Sequence, residues 1–115
     1  MPHPLPPPLA ELIGERFKVL SEPMRIRLLD QLRDGPASVG ELQEALGASQ
    51  QNVSKHLMVL LRADMVSRTK EGTSSLYAIA DESVFALCEL VCGGLQRQLD
   101  ELGAVLQPAG PPRKR

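Results

Sequence analysis

The sequence predicts a mainly α-helical domain with one small β-hairpin. Apolar residues recur at helical spacing through most of the chain, and they alternate with polar residues only between positions 65 and 79. The core must be aliphatic, because the 115 residues include two Phe, one Tyr and no Trp. A chain of this length fits one domain and gains burial from a subunit interface, so we expect an oligomer.

Two helices are predicted before residue 36. Apolar residues at helical spacing from Leu9 to Leu20 indicate a first helix that ends near Ser21. Pro23 suits the first turn of a second helix, because its fixed backbone angle and missing N–H are tolerated there. The Gly-Pro pair at residues 35–36 ends that helix.

A pair of helices joined by a tight turn follows. Ser38 and Glu41 have the spacing of a capping box, which predicts a short helix over Val39–Leu46, and Gly47 ends it. Ser49 is the predicted N-cap of a longer helix with an apolar inner face and a polar start. Two helices connected in this way form a helix-turn-helix.

The remaining chain predicts a hairpin and a last helix. Residues 65–70 and 75–79 alternate as strands and are joined through residues 71–74. Asp81 or Glu82 caps a helix whose apolar stripe is too continuous for a lone surface helix and needs a partner. The order of elements is that of a winged helix-turn-helix with five helices, two strands and a dimer. The residues predicted to form the dimer interface are Leu12, Phe17, Leu87, Val91, Leu95, Leu99 and Leu102.

Three sequence runs resemble one family. FKVLSEPMRIRLL at residues 17–29 is similar to the pattern F-x-x-L-x-x-x-x-R-x-x-I-L, and VSKHLMVL at residues 53–60 is similar to V-S-x-H-L-x-x-L. Residues 71–77 resemble the same family's wing. Over about residues 9–107 the chain resembles the ArsR/SmtB family of winged-helix repressors. The resemblance implies a homodimeric transcriptional regulator, and the chain shows no nucleophile–base motif or Gly-rich phosphate loop of an enzyme.

The predicted DNA contacts lie at the start of the second helix of the pair and in the hairpin. The net charge is −1, but residues 49–72 hold four basic and two acidic side chains, while residues 81–107 hold five acidic side chains and one Arg. Amide side chains suit adenine, Lys suits guanine or phosphate, and a helix N-terminus attracts phosphate. The predicted contacts on double-stranded DNA are Ser49, Gln50, Gln51, Asn52, Ser54, Lys55, His56, Arg68, Lys70 and Thr73.

Two of these predictions have structural alternatives. His56 either contacts DNA or packs beneath its own helix, and the resemblance implies a His here that is not a metal ligand. Arg68 and Lys70 lie on one face of their strand, where they contact DNA or protect a strand edge. The alternative function for the whole chain is a protein-interaction module that has lost DNA binding.

The resemblance also raises the question of a metal sensor. The family's thiolate site needs a C-x-C motif where this chain reads ELQE at residues 41–44. Its last-helix site needs a D-x-H pair and an H-x-x-E pair, but here Asp81 lacks the His and Arg97 replaces the second acid. The remaining candidate ligands for nickel, zinc or copper are Cys88, Cys92 and His3, and the alternative is that both thiols are small apolar residues of the dimer stripe.

The chain ends are predicted to lie outside the folded domain. Residues 1–8 read as a flexible Pro-rich arm, residues 9–107 as the DNA-binding and dimerisation domain, and residues 108–115 as a flexible basic tail. With no signal peptide and no long apolar run, we expect a cytoplasmic protein that does not enter a membrane.

Overall fold

The computed structural model describes residues 1–106 and confirms the predicted fold class. Residues up to Phe85 form one compact unit, and residues from Ala86 onward form a second. The predicted basic tail at 108–115 lies outside the described residues. The elements are α1 (Pro7–Val19), α2 (Pro23–Gln31), α3 (Val39–Leu46), α4 (Gln50–Arg62), β1 (Val66–Glu71), β2 (Ser74–Ile79) and α5 (Glu82–Leu106).

Helix α1 begins earlier than the sequence predicted. The predicted arm includes Pro7 and Pro8, but they occupy the first two helical positions, where a missing N–H costs nothing. The carbonyl of Pro6 accepts hydrogen bonds from the backbone N–H groups of Leu9 and Ala10, at 3.1 and 3.0 Å. The arm outside the helix therefore ends at residue 6.

The aliphatic core lies among α2, α3, α4 and the hairpin. Pro23 stands in the first turn of α2, as predicted, and a 3-10 turn over Leu32–Asp34 extends that helix to Gly35. Burial of a Leu or Val side chain stabilises the fold by about 1.5–3 kcal/mol. The most deeply buried side chains are Leu28, Leu42, Val53, Leu57, Leu60, Met65 and Val66.

The hairpin is anchored to the helical part by a bridge that the sequence did not predict. The strands pair antiparallel around a two-residue turn, where Gly72 has φ 64°, a conformation that glycine favours. Ala37, in the connection before α3, exchanges two backbone hydrogen bonds with Tyr77 of β2, at 2.9 and 2.8 Å. The side chain of Tyr77 is buried. The base of the hairpin is therefore fixed beside the start of α3.

The second unit consists, among the described residues, of α5 from Ala86 onward. An apolar stripe runs along it, and four of the side chains predicted for the dimer interface are more than half exposed: Val91, Leu95, Leu99 and Leu102. Leu87 is half-buried. None of the helices within residues 1–106 has the length and apolar content that a membrane span requires.

Candidate nucleic-acid interface

Local signals in the sequence fix the α3–α4 pair. The hydroxyl of Ser38 accepts a hydrogen bond from the N–H of Glu41 at 3.2 Å, and the Glu41 carboxylate accepts one from the N–H of Ser38 at 2.9 Å. Gly47 has φ 61° and ends α3 in the left-handed conformation. The predicted capping box and turn are thus present, and they bring α4 directly after α3.

The start of α4 presents a polar surface. Ser49 is the N-cap, and its hydroxyl accepts a hydrogen bond from the N–H of Asn52 at 3.2 Å. Ser49, Gln50, Gln51 and Lys55 are exposed, while Asn52 and Ser54 are half-buried. The opposite face of α4 is held in the core by Val53, Leu57 and Leu60. A helix held in this way on its apolar side leaves its N-terminal polar side chains available to the edges of bases.

His56 does not belong to that exposed surface. Its side chain is only 6% exposed, and its Nδ1 accepts a hydrogen bond from Nε of Arg25 at 3.2 Å. Burial, reinforced by the positive charges of Lys55 and Arg25, lowers the pKa of His56, and Glu22 opposes this shift. The geometry favours the structural alternative for His56 over a DNA contact.

The hairpin carries two exposed basic side chains, Arg68 and Lys70. Arg68 pairs across the strands with Tyr77, and Lys70 pairs with Ser75, so both basic side chains share one face, as predicted. Both are exposed, as is Thr73 in the turn. Neither basic side chain forms a salt bridge within residues 1–106. They are therefore available to an external anion such as a phosphate.

The candidate dimer residues of α1 are also exposed. Leu12 is 65% exposed and Phe17 is 53% exposed. Their exposure is what a surface that packs against another chain requires, and it agrees with the exposed stripe of α5.

The candidate metal ligands do not form a site within the described part of the chain. No three His, Cys, Asp or Glu side chains among residues 1–106 come close enough to hold a metal ion. Cys88 is half-buried and Cys92 is exposed, and His3 lies exposed in the arm. Burial raises the pKa of the Cys88 thiol, which disfavours the thiolate that binds metals. The residues described do not fit a metal ion held by one chain.

Sequence reasoning missed two residues that position this surface. Arg25 reaches α4 through His56, and Arg16 donates a hydrogen bond from Nη1 to the carbonyl of Ala63, the C-cap of α4, at 3.1 Å. Arg16 also forms a salt bridge with Asp81 at 3.5 Å. Both Arg side chains lie in helical patterns that look like ordinary solvated faces, and their partners are distant in sequence.

Comparison with known proteins identifies the class of protein. The family model of a helix-turn-helix domain matches residues 20–69. The HTH-type transcriptional regulator Rv0081 of Mycobacterium tuberculosis strain H37Rv is 38% identical over 101 residues, which cover 87% of this chain and 89% of that protein. The crystal structure of Rv0081 aligns with a TM-score of 0.74 and 36% identity, over 84% of this chain and 97% of that chain.

Two further solved structures share the architecture. The homodimeric winged helix-turn-helix DNA-binding domain Mb0332 of Mycobacterium bovis gives a TM-score of 0.72 at 28% identity, over 86% of this chain and 94% of that chain. The antimony-specific transcriptional repressor AntR gives a TM-score of 0.78 at 28% identity, over 86% of this chain and 90% of that chain.

These likenesses, together with the exposed polar start of α4, define a winged helix-turn-helix transcriptional regulator and not an enzyme. The chain belongs to the ArsR/SmtB family of such regulators, whose members bind DNA. The family resemblance of the sequence is confirmed. The hairpin is accordingly the wing, and α4 is the recognition helix.

Proposed function

We propose that the protein is a repressor that binds a near-palindromic operator as a homodimer, with one recognition helix in each of two successive major grooves. The observation that carries this proposal is the start of α4, where exposed polar side chains stand on a helix whose other face is buried. A two-fold dimer presents two such helices, and this matches the symmetry of a near-palindromic site.

The recognition helix and the wing have different roles in this proposal. Gln50, Gln51 and Asn52 read base edges, because a side-chain amide offers the donor and acceptor pair that adenine requires. Ser49 and Ser54 bind phosphates beside them, and Lys55 binds a phosphate or guanine. In the wing, Arg68, Lys70 and Thr73 lie along the DNA backbone or in the minor groove. Arg68 and Lys70 support this, because both are exposed and neither forms a salt bridge within residues 1–106.

The test is the salt dependence of duplex binding. An operator is first selected from a random-sequence duplex pool with the wild-type protein, and affinity is then measured across a salt series. The double variant Lys55→Ala/Arg68→Ala removes two phosphate contacts from each subunit. We expect the slope of log affinity against log salt to become shallower by about four per dimer, since each lost contact changes it by about one.

The control is Arg97→Ala, which removes one positive charge from α5 and should leave the slope unchanged. A wild-type protein that enriches no duplex and shows no salt-dependent binding would overturn the proposal in favour of a protein-interaction module. An unchanged slope in the double variant would remove Lys55 and Arg68 from the DNA contacts.

A further inference from the structure

Arg25 joins three helices at one point. It lies on α2, where its Nη1 donates a hydrogen bond to the carbonyl of Val19, the last residue of α1, at 2.8 Å. Its Nε donates to Nδ1 of His56, at the middle of the recognition helix, at 3.2 Å. Both bonds are partly buried. The guanidinium of Arg25 therefore forms a hydrogen-bonded bridge, here called the Arg25 strut, between the end of α1 and the recognition helix.

The strut depends on the protonation state of His56. An Arg side chain only donates hydrogen bonds, so Nδ1 of His56 must be an acceptor, and the ring is neutral with its proton on Nε2. Protonation turns Nδ1 into a donor. The hydrogen bond is then lost, and an imidazolium faces a guanidinium at short range.

The groups around His56 favour the neutral ring. Lys55 on the same helix and Arg25 on α2 are cations, and Glu22 at the start of α2 is the opposing anion. Burial is the largest influence, and the net result is a pKa below the usual 6.5. The neutral ring therefore predominates at pH 7, and protonation requires a pH below 6.5.

We propose that Arg25 is a positioning residue for the recognition helix, and that it holds this helix only while His56 is neutral, so that operator affinity falls on acidification. This inference rests on the proposed function, because it assigns a regulatory input to the same DNA-reading helix. It also separates the two roles that the sequence left open for His56.

The direction of the pH effect distinguishes those roles. A His that contacts phosphate gains a favourable charge on protonation, so its DNA affinity rises as the pH falls. A His that accepts a hydrogen bond from Arg25 loses its partner on protonation, so affinity falls. The two models predict opposite signs for one measurement.

The experiment measures operator affinity at constant ionic strength between pH 8 and pH 5.5. The chain has two His residues, so every protein carries His3→Gln to leave His56 as the titrating imidazole. We expect affinity to fall on acidification, because each protonated His56 loses one charge-assisted hydrogen bond, worth about tenfold in affinity per subunit once protonation is complete.

Two variants test the pair. In His56→Asn, the side-chain oxygen can accept from Arg25 near the position of Nδ1 but cannot be protonated, so we expect wild-type affinity at pH 7.5 and a flat profile. In Arg25→Lys the charge is kept, but the two-point strut is lost. We expect its affinity at pH 7.5 to be about tenfold lower, with little further change on acidification.

The matched control is Arg27→Lys, the same change on the same helix at an exposed Arg that bonds the carbonyl of Leu46 and not α4. It should keep the wild-type affinity and pH profile. Affinity that rises on acidification would overturn the proposal, and so would a His56→Asn protein with the wild-type pH profile.

An NMR measurement without DNA tests the Arg25–His56 hydrogen bond even if the protein does not bind DNA. Imidazole ¹⁵N spectra should show Nδ1 of His56 unprotonated at pH 7.5 and a raised midpoint of titration in Arg25→Lys relative to wild type. If no duplex is bound at any pH, the proposed function fails, and the spectra still decide whether the Arg25–His56 pair exists. A proton on Nδ1 at pH 7.5 would overturn the pair itself.

Discussion

At the scale of single residues, Ser38 and Ser49 are a natural matched pair. Each is an N-cap whose hydroxyl accepts a hydrogen bond at 3.2 Å from the backbone N–H three residues later. Ser38 begins α3, and Ser49 begins the recognition helix. The hydroxyl of Ser49 keeps its own proton for donation to a phosphate.

Replacing either Ser with Ala should therefore lower the free energy of unfolding by about 1 kcal/mol, because one helix N–H loses its acceptor. Only Ser49→Ala should also weaken operator binding, by about fivefold for each subunit of the dimer, which corresponds to one hydrogen bond in each half-site. Thermal unfolding and duplex titration on both variants check this. Equal affinity for the two variants would assign Ser49 a capping role alone.

The sequence predicts residues well where their partners are close along the chain. The caps at Ser38 and Ser49 follow from spacings of three residues, and both are confirmed. The contact between Arg25 and His56 spans 31 positions. Periodicity places such residues on a helix face, but it does not show which side chain of another helix contacts them. The burial of His56 therefore follows only from the three-dimensional structure.

At the scale of elements, the sequence predicts the strands of the wing but not the contact that attaches the wing to the helices. Alternation and Gly72 predict the two strands and their turn to within about one residue, because pleat and turn geometry are local. The bridge from Ala37 to Tyr77 joins segments far apart in the chain and gives no periodic signal. The wing is nevertheless attached to the helical part through this bridge, which fixes the base from which Arg68 and Lys70 extend.

Helix α5 yields a prediction about its two thiols. Cys88 and Cys92 are one helical turn apart, and neither joins a group of three metal-binding side chains within residues 1–106. Because burial raises the pKa of Cys88, its thiol is protonated at neutral pH and is a weak metal ligand. We expect the variant Cys88→Ala/Cys92→Ala to bind operator with wild-type affinity.

Mobility-shift titrations with zinc, nickel and copper(I) check this, with and without an oxidant, on both proteins. Any effect of the metals or the oxidant on operator affinity should be the same in the wild type and in the variant. A metal-induced loss of binding that occurs only in the wild type would contradict the prediction. It would mean that a second copy of the chain completes the site.

At the scale of the whole molecule, charge and apolar surface are segregated along the chain. The recognition helix and wing carry an excess of basic side chains, whereas the last helix is acidic and exposes a stripe of Leu and Val. An acidic helix is repelled by DNA, and an exposed apolar stripe is stable in water only when it is covered. This segregation supports DNA reading by one part and self-association by the other.

The double variant Leu95→Lys/Leu99→Lys tests the association. Both side chains are more than half exposed in the single chain, and a Lys buried in their place in a dimer would be strongly unfavourable. We expect sedimentation to give monomers and operator affinity to fall on the order of a hundredfold, because each monomer engages one half-site and avidity is lost. The control is Leu90→Lys, which also changes an exposed Leu but stands five residues before Leu95, about 140° around the helix. The Leu90→Lys protein should remain dimeric and bind operator as the wild type does. If the double variant stays dimeric, the interface lies instead on the exposed face of α1, around Leu12 and Phe17.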